Sequence, residues 1–135
     1  AGIAFTDPAK LQVLNSITHP YITEEIFRRI NQFTENGQIL ILLDAPTLFE
    51  SNASDFCDLI ISVLAEPAIR QERIMTRDGI TEEAAVQRMN AQLSEEFFIK
   101  HSDYIIRNNS DLPKLTALSE EVADKIKAFY HKNNP

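Results

Sequence analysis

The stretch that decides the fold runs from Leu59 to Gln92, LIISVLAEPAIRQERIMTRDGITEEAAVQRMNAQ. Leu59-Ile60-Ile61-Ser62-Val63-Leu64 is nearly continuous in apolar residues and too short for a helix, the pattern of a strand buried inside a parallel sheet. Pro67 then opens a helix, because its missing N–H is unpaired in a first turn anyway, and Asp78-Gly79 closes it with a residue free to take positive φ. Thr81 is placed to cap a second helix, with Glu82 and Glu83 in its first turn at the positive end of the dipole. Arg70, Arg73 and Arg77 fall at i, i+3 and i+7 and line one face, while Arg88 and Gln92 share a face of the second helix. Two readings of this helical hairpin stand side by side. In one, Glu66, Glu72 and Glu83 offset the arginines on a solvated surface; in the other, the arginines hold an anion.

Working outward, Ile39-Leu40-Ile41-Leu42-Leu43 repeats the buried-strand pattern and leads into Asp44-Ala45-Pro46-Thr47-Leu48-Phe49-Glu50. A weaker third strand is expected at Tyr104-Ile105-Ile106, closed by Arg107-Asn108-Asn109-Ser110. Upstream, Asp7-Pro8 reads as a helix N-cap and first position, followed by Leu11, Leu14 and Ile17. His19-Pro20 is expected to break that helix and start another, carrying Tyr21, Ile22, Ile26, Ile30 and Phe33 on one side and ending at Asn36-Gly37. The last helix begins near Leu112 or Pro113, with Leu115, Leu118, Val122, Ile126 and Phe129 on one stripe. Strands alternating with helices predict an α/β fold with a parallel sheet, in which ligands gather at the carboxyl ends of the strands. Asp44 to Glu50, Glu66 with its hairpin, and Asn108-Asn109 all fall at such ends. Three strands this apolar want cover and partners on both sides, so a neighbour that belongs beside them is missing from the pattern.

The 135 residues suffice for one domain with a core. No run reaches the roughly 20 apolar residues of a membrane span, and the start lacks the succession of a signal peptide, so a cytoplasmic location is the default expectation. The net charge of −7 argues against non-specific nucleic-acid binding. It leaves room for a small anion, because screening limits distant charges to roughly 8 Å at physiological salt. Cys57 is the only cysteine. It reads as a buried apolar residue, and neither it nor His101 nor His131 has a spacing that suggests a metal.

The ordered set of pieces resembles dephospho-CoA kinases, a family of P-loop kinases related in architecture to nucleoside monophosphate kinases. The pieces are Phe5-Thr6-Asp7-Pro8 with Leu11, Ile17-Thr18-His19-Pro20-Tyr21-Ile22, and Ala45-Pro46-Thr47-Leu48-Phe49-Glu50. They continue with Arg73, Arg77-Asp78-Gly79-Ile80-Thr81-Glu82-Glu83-Ala84, Arg88-Met89, Ala91-Gln92, Ser102-Asp103-Tyr104-Ile105-Ile106 and Asn108. Thr47 departs from the family's usual leucine. The family's N-terminal strand, its G-x-x-x-x-G-K-[ST] loop and the acidic segment expected to supply the catalytic base do not occur. The chain's 3 glycines, Gly2, Gly37 and Gly79, are not spaced to build such a loop. The expectation is thus the C-terminal two-thirds of such a kinase, with the first strand of the family falling between the two apolar strands read here.

The resemblance implies a partial P-loop-kinase-like three-layer fold, a parallel sheet flanked by helices. Residues 1–66 and 94–135 form the α/β core with acceptor-side helices, and residues 67–93 form a helical lid. It implies an enzyme that uses ATP and Mg2+ to phosphorylate the ribose 3′-hydroxyl of dephospho-CoA, giving CoA, and a 135-residue chain inactive alone. Arg73, Arg77, Arg88 and Gln92 are the implied phosphate and lid contacts, with simple ion pairs as the alternative. Asp78 either positions Arg77 or merely ends its helix with Gly79. His19 and Pro20 are implied for the dephospho-CoA pocket, or else serve capping and packing. Pro46, Phe49 and Glu50 are implied for the acceptor site, Phe49 being equally suited to the core and Glu50 the better site candidate. Asn108 is the adenine contact or an ordinary turn asparagine. Two rivals remain: a non-catalytic nucleotide- or CoA-binding module, and one half of a split or oligomeric structural protein that self-associates through exposed strands.

Overall fold

The computed structural model describes residues 7–133, which form two compact units dividing after Cys57. Phe5-Thr6 of the family pattern lies outside the described residues.

The first unit is built on one helix, α1 (Pro8–Glu35), of 28 residues. Asp7 caps it, its Oδ1 accepting from the Ala9 and Lys10 amides at 3.0 and 3.3 Å. The expected break at His19-Pro20 does not occur: Pro20 lies inside the helix. An interior proline costs about 3 kcal/mol. Splitting the segment would instead require a second costly nucleus and two more helix ends with unpaired backbone groups, so one continuous helix is the better solution. The helix ends where expected, the Asn36 amide donating to the Gln32 carbonyl at 3.2 Å and Gly37 taking a φ of 77°.

Residues 39–43, expected to be a strand, form none. They have no neighbouring strand among the described residues, and Leu42 is 85% exposed. Residues 41–44 and the α1 side chains Tyr21, Ile22, Ile26, Ile30 and Phe33 line an open apolar groove. The expected apolar stripe of the helix is therefore only partly covered, Tyr21 and Phe33 remaining exposed. Turns over residues 46–52 follow, then a short 3-10 helix, Ala53–Phe56. Phe56 meets Phe27 edge to face, with centroids 4.3 Å apart. Cys57 is half-buried rather than buried.

The second unit contains the parallel sheet. Strands β1 (Ile61–Leu64) and β2 (Tyr104–Arg107) pair with Ile61 opposite Tyr104 and Leu64 opposite Arg107. The sheet among the described residues thus has two strands instead of the expected three. Burial also departs from expectation: Ser62 and Leu64 face inward, whereas Val63 is 59% exposed, so only one face of β1 is covered. Between the strands run α2 (Pro67–Asp78), α3 (Glu82–Asn90) and α4 (Glu95–Lys100), and α5 (Leu112–Asn133) follows β2. Helix α4 packs on β1 and α5 on β2, Val122 of the expected α5 stripe being buried. Helix α4 was not anticipated, although Ser94 caps it through the Phe97 amide at 3.2 Å. No helix among the described residues is long and apolar enough to cross a membrane.

Candidate functional site

The carboxyl ends of β1 and β2 are stitched together by the residues that leave them. The Asn108 amide donates to the Leu64 carbonyl at 2.7 Å, continuing the ladder one residue past the strands. Glu66 and Asn109 then exchange two bonds: the Glu66 amide donates to Asn109 Oδ1 at 2.9 Å, and Asn109 Nδ2 donates to Glu66 Oε1 at 3.1 Å. Pro67 starts α2 immediately beyond, and the Glu66 carbonyl accepts the first helical bond from Arg70 at 2.9 Å. The hairpin is therefore rooted where two parallel strands end, the place where open α/β sheets gather ligands.

Helices α2 and α3 form the expected hairpin. Gly79 takes a left-handed φ of 62° and its amide donates to the Met75 carbonyl at 2.9 Å, an αL ending that only a residue without Cβ adopts cheaply. Thr81 caps α3 through the Ala84 amide at 3.4 Å. Gln71 Nε2 also donates to Glu82 Oε1 at 2.9 Å, tying one helix to the start of the other.

The arginines do not act as one face; they divide into root and tip. At the root, Arg73 donates from Nη1 to the Asn108 carbonyl at 2.7 Å and from Nη2 to the Ser110 carbonyl at 3.4 Å. Arg70 Nη2 donates to Gln92 Oε1 at 2.8 Å. Gln92 itself lies past the end of α3 at Asn90, so it does not share a helical face with Arg88 as expected. At the tip, Arg77 donates from Nε and Nη2 to the two carboxylate oxygens of Asp78, at 2.7 and 3.0 Å. Arg88, from the last turn of α3, donates from Nη1 to Asp78 Oδ2 as well. The Arg77 hydrogen bond, more than any other contact, holds the Asp78 carboxyl below the usual carboxylate range, and Asp78 raises Arg77 in return. None of Glu66, Glu72 and Glu83, the expected counter-charges, forms an ion pair with these arginines among the described residues; Asp78 does.

Of the remaining candidates, His19 is half-buried and Pro20 exposed on α1. Pro46 and Glu50 are exposed and Phe49 half-buried in the turn region of the same unit. Asn108 meets Arg73 through its backbone carbonyl. Sequence reasoning placed Asn108-Asn109 at a strand end beside the site but did not foresee that the Asn109 side chain meets Glu66. It also passed over Arg107, which pairs with Glu95 at 2.6 Å and ties β2 to α4. Among the described residues no group of three or more His, Cys, Asp or Glu side chains is placed to hold a metal ion.

Comparison with known proteins bears on this arrangement. The family model described as dephospho-CoA kinase matches residues 1–114. The dephospho-CoA kinase of Saccharomyces cerevisiae is 40% identical over 123 residues, covering 90% of this chain and 51% of the yeast protein. That of Oryza sativa subsp. japonica is 38% identical, covering 92% of this chain and 54% of its own length. The chain thus spans about half the length of these curated relatives. Among solved structures, a Thermus thermophilus protein superposes with a TM-score of 0.72 at 27% identity, covering 92% of this chain and 64% of its own. The dephospho-CoA kinase from Campylobacter jejuni gives 0.60 at 26% identity, covering 93% and 62%. A family match over most of the chain, relatives of one description and solved structures of the same α/β fold agree: the chain belongs to the dephospho-CoA kinase family.

Proposed function

We propose that this chain forms the acceptor-side and lid part of a dephospho-CoA kinase, which transfers the γ-phosphoryl of ATP to the ribose 3′-hydroxyl of dephospho-CoA and yields CoA and ADP. The observation that supports this best is the tip of the hairpin. Two guanidinium groups from separate helices share one carboxylate, on an arm rooted at the carboxyl ends of two parallel strands. Phosphoryl transfer spreads negative charge over several oxygens, and arginines brought in on an arm stabilise that charge while excluding water.

In this reading residues 67–93 are the lid, and Arg77 and Arg88 hold phosphate oxygens. Arg73 adds positive charge at the root, beside Asn108 as the adenine contact. Gln92 acts through Arg70. His19, Pro20, Pro46, Phe49 and Glu50 contact dephospho-CoA. ATP supplies the phosphoryl group, and this chain's own part is to bind and orient. Among the described residues no group of three or more ligating side chains is placed to hold a metal ion, and no step is routed through one. The 135 residues also contain no G-x-x-x-x-G-K-[ST] loop, and alone they are expected to give no turnover.

The test is to read the coding region around the Ala1 codon, express its complete product and follow CoA formation from ATP and dephospho-CoA by chromatography. The proposal expects turnover on the order of 1–100 per second, falling at least roughly tenfold with Arg88→Ala. A complete product that forms no CoA overturns it, as does comparable turnover by the 135-residue chain alone.

A second reading, association through residues 39–43, is favoured by the exposure of Ile39, Leu40 and Leu42. An unpaired apolar run offers backbone groups to another chain. Sedimentation at two concentrations decides it: a mass that rises with concentration supports self-association, and a constant monomer mass contradicts it.

A further inference from the structure

Asp78 occupies a place where electrostatics alone disfavours a carboxylate. It is the last residue of α2, at the negative end of the helix dipole, and aspartate is a poor helix former. Ending the helix requires only Gly79, whose positive φ closes the turn. What compensates Asp78 is the pair of guanidinium groups it gathers, one from its own helix and one from ten residues further on in α3.

The exposures define the geometry. The Asp78 side chain is 22% exposed, whereas Arg77 and Arg88 are 73% and 54% exposed. The carboxylate thus lies beneath two outward guanidinium groups. Arg77 spends Nε and Nη2 on Asp78 and Arg88 spends Nη1, which leaves Arg77 Nη1 and Arg88 Nε and Nη2 with donors not directed at Asp78. Two cations on one anion keep a net positive charge. Without the carboxylate, like charges would hold the two arginines apart. An exposed ion pair adds little to stability, so the return on this arrangement is orientation rather than fold.

We propose that Asp78 is a positioning residue that sets Arg77 and Arg88 side by side as a clamp for an oligophosphate chain. This rests on the kinase reading for its biological ligand, although the clamp itself is tested without catalysis. Asp78 touches no phosphate. It fixes the spacing of two guanidinium groups, and the phosphate oxygens meet the N–H groups that face away from it.

Inorganic tripolyphosphate is titrated by calorimetry into the 135-residue chain and its variants at constant ionic strength. Binding is expected for the unaltered chain, about tenfold weaker for Asp78→Ala, and largely restored by Asp78→Glu, which keeps the charge. In the Arg88→Ala background, Asp78→Ala is expected to add less than about twofold further loss, because there is no pair left to position. Asp78→Asn keeps the shape if the alanine variant fails to fold, and it is expected to weaken binding by several-fold. Unchanged or tighter binding in Asp78→Asn overturns the proposal and makes the carboxylate a competitor of the anion. No binding by the unaltered chain overturns it too. Absence of kinase activity in the complete gene product, with tripolyphosphate binding intact, refutes only the kinase reading.

Discussion

Residues 39–43 and 59–64 are close to interchangeable in composition, each an apolar run of strand length, yet they behave differently. The second yields β1, whose ladder is completed by β2, and one of its faces is buried through Ser62 and Leu64. The first has no strand beside it among the described residues and carries its leucines and isoleucines largely into solvent. A strand is a property of a pair. Intrinsic preference for extended backbone is not enough when every amide still needs a partner. The same contrast explains where side-chain function is anchored: the hairpin is tied to the paired strands by Glu66, Asn109 and Arg73, and through them gains a fixed root.

The contrast breaks most readily at the cores. Leu64→Ala is expected to cost about 2–5 kcal/mol by urea denaturation, as buried leucines do. Leu42→Ala, on an exposed side chain, should stay within about 0.5 kcal/mol. Equal costs would mean that residues 39–43 are buried in solution. Next comes the stitch at the strand ends, where Asn109→Ala removes both bonds to Glu66 and is expected to cost roughly 1–2 kcal/mol. A smaller effect belongs to the hairpin: Thr81→Ala should cost only about 0.5 kcal/mol, the low end for a cap, because its bond to the Ala84 amide is long at 3.4 Å.

The smallest effect concerns α1. Hydrogen bonds from Arg28 and then Arg29 lower Glu25 from 4.5 to about 2. A depressed carboxylate contributes stability above its unfolded value, lost as pH falls through the folded one. The helix should therefore loosen slightly between about pH 4.5 and 2. A carboxyl-carbon NMR titration with a midpoint near 4.5 would show that Arg28 and Arg29 do not hold it in solution.

What was legible in the sequence was what local chemistry decides. Pro67, Gly79 and Thr81 each act within a few residues, so the hairpin followed from them, and Asp7-Pro8 likewise marked the start of α1. Of the α5 stripe, Val122 is buried and Phe129 exposed. Residues 39–43 were misread because pairing is non-local. Pro20 was misread because a local cost was weighed without the larger cost of starting a second helix. Helix α4 is a six-residue element, too short to show a period. At the site, the arginines and Asn108 were visible as residue types, and Asp78 was seen with two readings open. Their division into root and tip was not visible. That Arg73 reaches carbonyls 35 and 37 residues away, and that Glu66 meets Asn109 across 43, depends on strand register that spacing does not encode.

The claim that an apolar run becomes a strand here only beside a partner is tested most directly by amide hydrogen exchange along the chain. Slow exchange is expected for residues 61–64 and 104–107, and exchange on the order of 100-fold faster for residues 39–43. Equal protection of the two apolar runs would contradict it.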